Sequence, residues 1–187
     1  ITKASSGDTI NVAAAIHNTA AQVLIDRNLT LKGAGPGSST VTLNFDTGNS
    51  GDSRGWFLVD SGITFDVQDL TLDGSGQKVY QAIRYKGQGS VTNCAFSNIQ
   101  YEASGPAYQG TAIGIHTSDN VNVTGCSFTG IGRNGIAAYD EYWPLPPTGP
   151  TGTYSGNTYT GKGAGDWLDY AFLIQAGANV TTHNNQI

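Results

Sequence analysis

The sequence predicts an all-β solenoid, a chain of short strands wound into about six stacked rungs. Three observations predict it. The 187 residues include 26 Gly and no Met, and only 12% are charged. Thr, Ser, Asn, Val and Ile accompany the glycines, a mixture that disfavours long helices and favours short strands joined by turns. The second observation is a pattern written twice, "GSVTNCAFSN" from Gly89 and "VNVTGCSFTG" from Val121. The third is a short alternating run that precedes each copy.

Aligned segments give three columns. "LIDRNLTLKG", "FDVQDLTLDG", "GSVTNCAFSN", "VNVTGCSFTG", "GTYSGNTYTG" and "ANVTTHNNQI" line up in chain order. The first column holds Val67, Val91, Val123, Tyr154 and Val180. The second holds Leu29, Leu70, Cys94, Cys126, Asn157 and His183. The third holds Leu31, Leu72, Phe96, Phe128, Tyr159 and Asn185. Between the first two columns sit Asp69, Asn93, Gly125, Gly156 and Thr182, mostly residue types suited to a tight bend with positive φ. From Leu70 onward the second column repeats after 24, 32, 31 and 26 residues, the spacing of a stacked array.

The preceding runs are "GWFLVDSG", "YQAIRYKG", "GTAIGIHTS", "NGIAAYDEY" and "YAFLIQAG". Their alternation is that of a strand with one buried face. Near the start, "NVAAAIHNTAAQVLI" reads as a strand end, a loop and another strand. A net charge of −5 argues against a nucleic-acid partner. No apolar run reaches the roughly 18 residues of a membrane span, and no signal peptide is visible. Both ends look cut, so residues 1–187 read as a single domain from a longer chain.

The opening "SGDTINVAAA" to "LTLKGAGPGSSTVTL" and the "VTNCAFSNI" and "VTGCSFTGIGRNGI" rungs resemble the right-handed parallel β-helix, or pectate-lyase-like, superfamily. The resemblance covers essentially the whole chain. It implies a single-stranded right-handed parallel β-helix with a filled interior, in a secreted or surface setting. It does not imply one activity, because the same rung serves lyases, hydrolases, epimerases, tailspikes and inert stalks. The lyases' calcium-binding Asp clusters and arginine motifs have no residue-by-residue match here.

Stacking puts Cys94 and Cys126 on adjacent rungs, with Cα atoms about 5 Å apart. That spacing admits a disulfide, and it equally admits two stacked buried thiols. Ligands must bind an outer face, walled by insertions. These carry Tyr101, Tyr108, Tyr142, Trp143 and Trp167, rings suited to stacking on sugars. The same "WPLPP" segment also fits a rigid turn packed over a rung end.

Aligning Val59, Ile83, Ile115, Ala138 and Phe172 as inward positions turns Asp60, Arg84, His116, Tyr139 and Leu173 outward. Lys86, Ser118, Glu141 and Gln175 follow two residues on. The expected external ladder is Asp60–Arg84–His116–Tyr139, each about 5 Å from the next, with Arg133 close by in sequence. Glycoside hydrolysis needs two carboxyl groups roughly 5–10 Å apart. Asp60 and Glu141 stand three rungs apart, about 14 Å, which disfavours it. Elimination or epimerisation of a uronic acid needs a cation against the sugar carboxylate and a proton-transfer group. Arg84 or Lys86 suits the first task and His116 or Tyr139 the second. Asp60, Arg133, Tyr101, Tyr108, Tyr142 and Trp143 are the expected substrate-binding residues. Asp140 and Glu141, with Asp119, are weak candidates for Ca2+, and otherwise no cofactor is expected. The opposing reading makes Asp60–Arg84 a surface ion pair and His116 a strand cap. The function expected is therefore an extracellular or surface protein engaging polysaccharide, with lyase-type or epimerase-type chemistry. A non-catalytic stalk, adhesin or tailspike module is the alternative, and open end rungs leave self-association possible.

Overall fold

The computed structural model describes residues 3–102, 109–139, 149–163, 168–175 and 177–187. Among the described residues nineteen strands form three parallel sheets, and successive coils of the chain add one strand to each. The first sheet contains β1 (Asp8–Asn11), β4 (Leu29–Lys32), β7 (Thr64–Gln68), β10 (Gln88–Thr92), β13 (Val121–Thr124), β16 (Thr151–Ser155) and β19 (Asn179–His183). The second contains β2 (Ile16–Thr19), β5 (Thr40–Leu43), β8 (Thr71–Asp73), β11 (Ala95–Ser97), β14 (Ser127–Thr129) and β17 (Thr158–Thr160). The third contains β3 (Val23–Ile25), β6 (Gly55–Val59), β9 (Gln81–Tyr85), β12 (Thr111–Ile115), β15 (Asn134–Ala138) and β18 (Tyr170–Ile174). This is the parallel β-helix that the repeat predicts; "NVAAAIHNTAAQVLI" holds no helix, and the stretch expected as a loop carries a further strand, β2.

Like side chains stack on like. Val67, Val91, Val123 and Tyr154 are successive Cα partners in the first sheet. Leu72, Phe96, Phe128 and Tyr159 are successive partners in the second. The Phe96 and Phe128 rings lie 5.3 Å apart and 11° from parallel, both buried. Such a pair contributes about 0.5–1.5 kcal/mol beyond its area burial.

Between those columns the chain bends through one positive-φ residue per rung: Asp69 (φ 60), Asn93 (φ 49), Gly125 (φ 65), Gly156 (φ 63) and Asn184 (φ 56). Short polar residues and glycine tolerate this region. The bends are also bonded to one another, with Asp69 N donating to Thr92 O and Asn93 N to Thr124 O, at 3.1 and 2.9 Å.

The columns need correction at both ends of the stack. Leu29 and Leu31 pair with Phe65 and Val67, so they belong to the first sheet, and Val41 takes the place given to Leu31. Ser39, fully buried, takes the place given to Leu29, because residues 34–38 are inserted at that bend. At the other end Thr182, not Val180, pairs with Tyr154, and Asn184 is the bend. His183 therefore precedes the bend, and Asn185 takes its expected place: Asn185 Oδ1 accepts from Asn157 N at 2.9 Å.

The third sheet has a kinked entry. Trp56 and Phe57 both belong to the core, as do Ala82 with Ile83 and Ala112 with Ile113. Two consecutive inward residues put Gly55, Gln81, Thr111, Asn134 and Tyr170, which are Cα partners, on the outside. Among the described residues no helix is long and apolar enough to cross a membrane.

Candidate functional site

The outer face of the third sheet carries three rows. The entry row is Gly55–Gln81–Thr111–Asn134–Tyr170. The middle row is Leu58–Arg84–Gly114–Ala137–Leu173. The exit row follows the strand ends: Lys86 N bonds Val59 O, His116 N bonds Tyr85 O, and Tyr139 N bonds Ile115 O. It thus reads Asp60–Lys86–His116–Tyr139–Gln175, since Gln175 N bonds Ala138 O.

The expected ladder is therefore corrected at one rung and at its end. Val59 pairs with Tyr85, not Ile83, so Lys86 and not Arg84 stands above Asp60. Gln175 and not Leu173 continues it. Alternation alone permits both registers, because a slip of two residues keeps every side chain on its face. Tyr85 takes the inward place instead, fully buried, and its hydroxyl donates to Phe65 O at 2.9 Å. Burial pushes that phenol well above its ordinary range.

Arg84 is displaced by one row but stays in the cluster. Its Nη1 donates to Gln81 Oε1 at 3.1 Å. Its Nε approaches Asp52 Oδ1 at 3.5 Å, and Lys86 Nζ meets Asp52 Oδ2 at 2.8 Å. Among the described residues the carboxylate beside Arg84 is Asp52, not the Asp60 that the ion-pair reading expected. Asp52 sits on a 3-10 turn, η1 (Gly51–Arg54), which no periodicity could announce. The Lys86 hydrogen bond, then the Lys86 and Arg84 charges, hold the Asp52 carboxyl below its usual range despite desolvation.

Gln81 links this cluster to His116. An arginine only donates, so the Gln81 oxygen must face Arg84 and its NH2 must face the imidazole. Gln81 Nε2 lies 2.9 Å from His116 Nε2, and His116 Nδ1 lies 3.2 Å from Tyr139 O. A carbonyl only accepts. His116 is therefore the neutral tautomer with hydrogen on Nδ1. Its ring meets the Tyr139 ring edge-on at 4.8 Å between centroids. Gly114 makes room for the Gln81–His116 contact: a Cβ there would lie 2.5 Å from Gln81 Nε2 and 2.8 Å from His116 Nε2.

Exposure separates the four expected catalytic residues. Arg84 and His116 are each only 4% exposed. Lys86 and Tyr139 are half-buried at the rim. Arg133 precedes the entry row, and its Nε, like Asn134 Oδ1, is buried without a hydrogen-bond partner among the described residues. Asp60 stands in the exit row below Lys86. Tyr101 lies elsewhere, at the bend between the second and third sheets, with its ring 5.3 Å from that of Tyr80.

Tyr108, Asp140, Glu141, Tyr142, Trp143 and Trp167 lie outside the described residues, so the aromatic walls and the Ca2+ site expected from them go no further. Among the described residues no three His, Cys, Asp or Glu come together as a metal site. Cys94 and Cys126 are free thiols, both buried. His17 is a structural histidine, its Nε2 3.0 Å from Ala13 O. Sequence reading missed Asp52 and Gln81. Gln81 had a signal, since it opens the strand that carries Arg84.

No protein-family model matches the chain, and no curated protein matches it. Among solved structures it is similar to a PL6 family alginate lyase, AlyGC, with a TM-score of 0.69 over 99% of this chain, at 15% identity. The chain spans 26% of the length of that lyase. Likeness at this identity speaks to fold. Together with the three parallel sheets, it makes this chain a parallel β-helix.

Proposed function

We propose that this β-helix engages an acidic polysaccharide along the exit-row rim of its third sheet and cleaves it by elimination. The observation that supports this most is the Lys86–His116–Tyr139 row, backed by the Asp52–Arg84–Gln81 network. Likeness in fold to an alginate lyase makes a polyuronate the first substrate to try. Such polymers are met outside cells, so an extracellular or surface location belongs to the same proposal.

The geometry divides the work. Lys86, at the rim, neutralises the sugar carboxylate and so acidifies the adjoining C5–H. Tyr139, also at the rim, is the proton-transfer group. It stands two strands from Lys86, about 10 Å. Its phenolate form takes the C5 proton, the C5–H pair becomes the C4=C5 double bond, and the C4–O bond breaks. The departing oxygen leaves with the electron pair and takes a proton from solvent or from the regenerated phenol. His116 and Arg84 are positioning residues, since burial keeps both from the polymer. His116 holds the Tyr139 ring edge-on, and Arg84 holds Gln81 against His116.

A second reading is a non-catalytic surface module that binds or only supports. The burial of Arg84 and His116 favours it, because both then serve packing. Ultraviolet absorbance of unsaturated product, followed on alginate and polygalacturonate, separates the two. Product formation that drops at least a hundredfold in Lys86→Met and Tyr139→Phe supports elimination, being the scale of one acid–base group. Full activity in both variants sinks the assignment, and no product on any polyuronate leaves the module reading.

A further inference from the structure

We infer a second sugar-binding subsite, for the hydroxyl groups of a polysaccharide unit, in the cleft at the bend between the second and third sheets. It rests on the reading that the chain engages polysaccharide, and it goes beyond the site just described. The cleft encloses about 500 Å3, lined by Asp46, the 74–78 loop, Asn98, Gln100, Tyr101 and Glu102. That volume is in the range of small-ligand sites.

The lining groups fall into two sets. One set is spent on structure. Asn98 Nδ2 donates to Asp73 Oδ1 at 2.9 Å and to Ser75 Oγ at 2.8 Å. Asp46 Oδ1 accepts from Lys78 N at 2.8 Å. Gln100 Nε2 donates to Gly130 O at 3.2 Å. These bonds fix the loop and the floor. The other set has no hydrogen bond from the described residues: the Gln77 amide, the Lys78 ammonium, the Glu102 carboxylate and Asp46 Oδ2. It offers donors and acceptors together, which suits hydroxyls, since each hydroxyl gives one proton and accepts others.

Tyr101 supplies the apolar surface. It lines the cleft, while Tyr80 packs against it from outside the lining, at 5.3 Å and 60°. Lys78 Nζ lies 5.8 Å over the Tyr101 ring and Arg54 Cζ 4.8 Å over the Tyr80 ring. A ring held by Tyr80 and Lys78 is already ordered, which lowers the ordering cost of a sugar packing against it.

The charges choose the chemical class. Asp46 and Glu102 outnumber Lys78 in the lining, so a sugar carboxylate gains little here. The subsite therefore reads hydroxyls, whereas the Lys86 row reads the carboxylate. The two are linked through η1, where Asp52 bonds Lys86 and Arg54 covers Tyr80. Tyr80 and Lys86 are six residues apart on one strand path, roughly 20 Å at strand rise. One polymer spanning several sugar units reaches both.

Backbone chemical shifts during titration test this directly. The probes are an alginate tetrasaccharide, its carboxyl-reduced counterpart, and Ca2+ alone. Both sugars are expected to shift the Gln77, Lys78, Tyr101 and Glu102 amides, with affinities within a few-fold of each other. Tyr101→Ala should weaken binding at these amides roughly tenfold, the effect of losing an aromatic anchor. Gln77→Ala, a surface change that leaves the fold alone, should weaken it several-fold. Shifts confined to the Lys86 row, or shifts with Ca2+ but neither sugar, overturn the subsite. Retained shifts without unsaturated product overturn only elimination, so the two failures are told apart.

Discussion

Arg84 Nη1 donates to Gln81 Oε1 at 3.1 Å, and this bond turns the Gln81 amide nitrogen toward His116. One side chain that cannot accept a hydrogen bond thereby sets the tautomer of another that it does not touch in this chain of contacts. Nitrogen-15 spectra of the His116 ring are expected to show hydrogen on Nδ1 and a bare Nε2 at neutral pH. Gln81→Glu places an acceptor against each ring nitrogen and should favour the imidazolium, with hydrogen on both Nδ1 and Nε2. Gln81→Leu removes both bonds and should cost about 1–3 kcal/mol of stability, the cost of unmade buried polar contacts. A wild-type ring already protonated at Nε2 would show that Arg84 does not orient the amide.

Asp52 contributes to the acid limb of stability. Its carboxyl is held low, first by the Lys86 hydrogen bond and then by the Lys86 and Arg84 charges. A carboxyl whose folded pKa lies below its unfolded value stabilises the fold above that unfolded value, about 3.9, and stops doing so as pH falls through the folded pKa. The Asp52 side chain is 47% exposed, so the contribution is under about 1 kcal/mol. Asp52→Asn should therefore lower stability slightly at pH 7, less so in high salt, and not at all near pH 2. Denaturant midpoints at the two pH values check it; an equal gap at both would assign the loss to packing instead.

The repeat made the first two sheets legible in the middle of the stack, misplaced Leu29, Leu31 and Val180 at its ends, and left the third sheet ambiguous. In the second sheet the columns pass through a bend that demands positive φ, and Asp69, Asn93, Gly125 and Gly156 mark it rung by rung. A bend fixes register absolutely. The third sheet has no such mark, and Val59 fits above Ile83 as well as above Tyr85 by alternation. The choice falls to packing volume, which one sequence does not display. The same lack hid the inward pair Trp56 and Phe57, because two consecutive core residues break the period that reveals a strand. Asp52 was invisible for a third reason: it reaches Lys86 across 34 residues from a turn with no periodicity.

Gly114 isolates the geometry of the site from the stability of the fold. Its backbone lies outside the positive-φ region, so alanine is allowed there, yet its Cβ would meet Gln81 Nε2 and His116 Nε2 inside contact distance. The obstructing atoms are side-chain ends, which move more cheaply than backbone. Gly114→Ala is expected to cost about 1–3 kcal/mol, as overpacking does. Turnover should fall further, on the order of a hundredfold, if His116 positions Tyr139. Gly114→Ala with unchanged turnover on a polyuronate would remove His116 from the mechanism and leave it a packing residue.

Cys94 and Cys126 test the stack itself. Ser127 N bonds Cys94 O at 2.9 Å, which sets the two cysteines on neighbouring rungs, each 1% exposed. The neighbouring Cys94 thiol together with burial pushes Cys126 well above its ordinary range. Both thiols are shut out of solvent, and a thiol that a reagent cannot reach reacts slowly. Aromatic disulfide reagents should therefore label neither cysteine in the folded protein, and both together as denaturant unfolds it. Intact mass should correspond to two free thiols. Cys94→Ala and Cys126→Ala should each cost about 1 kcal/mol, and the double variant less than their sum, because the two side chains fill one shared space. Strict additivity, or rapid labelling of one thiol in the native state, would mean that the two rungs do not lie one above the other at this column.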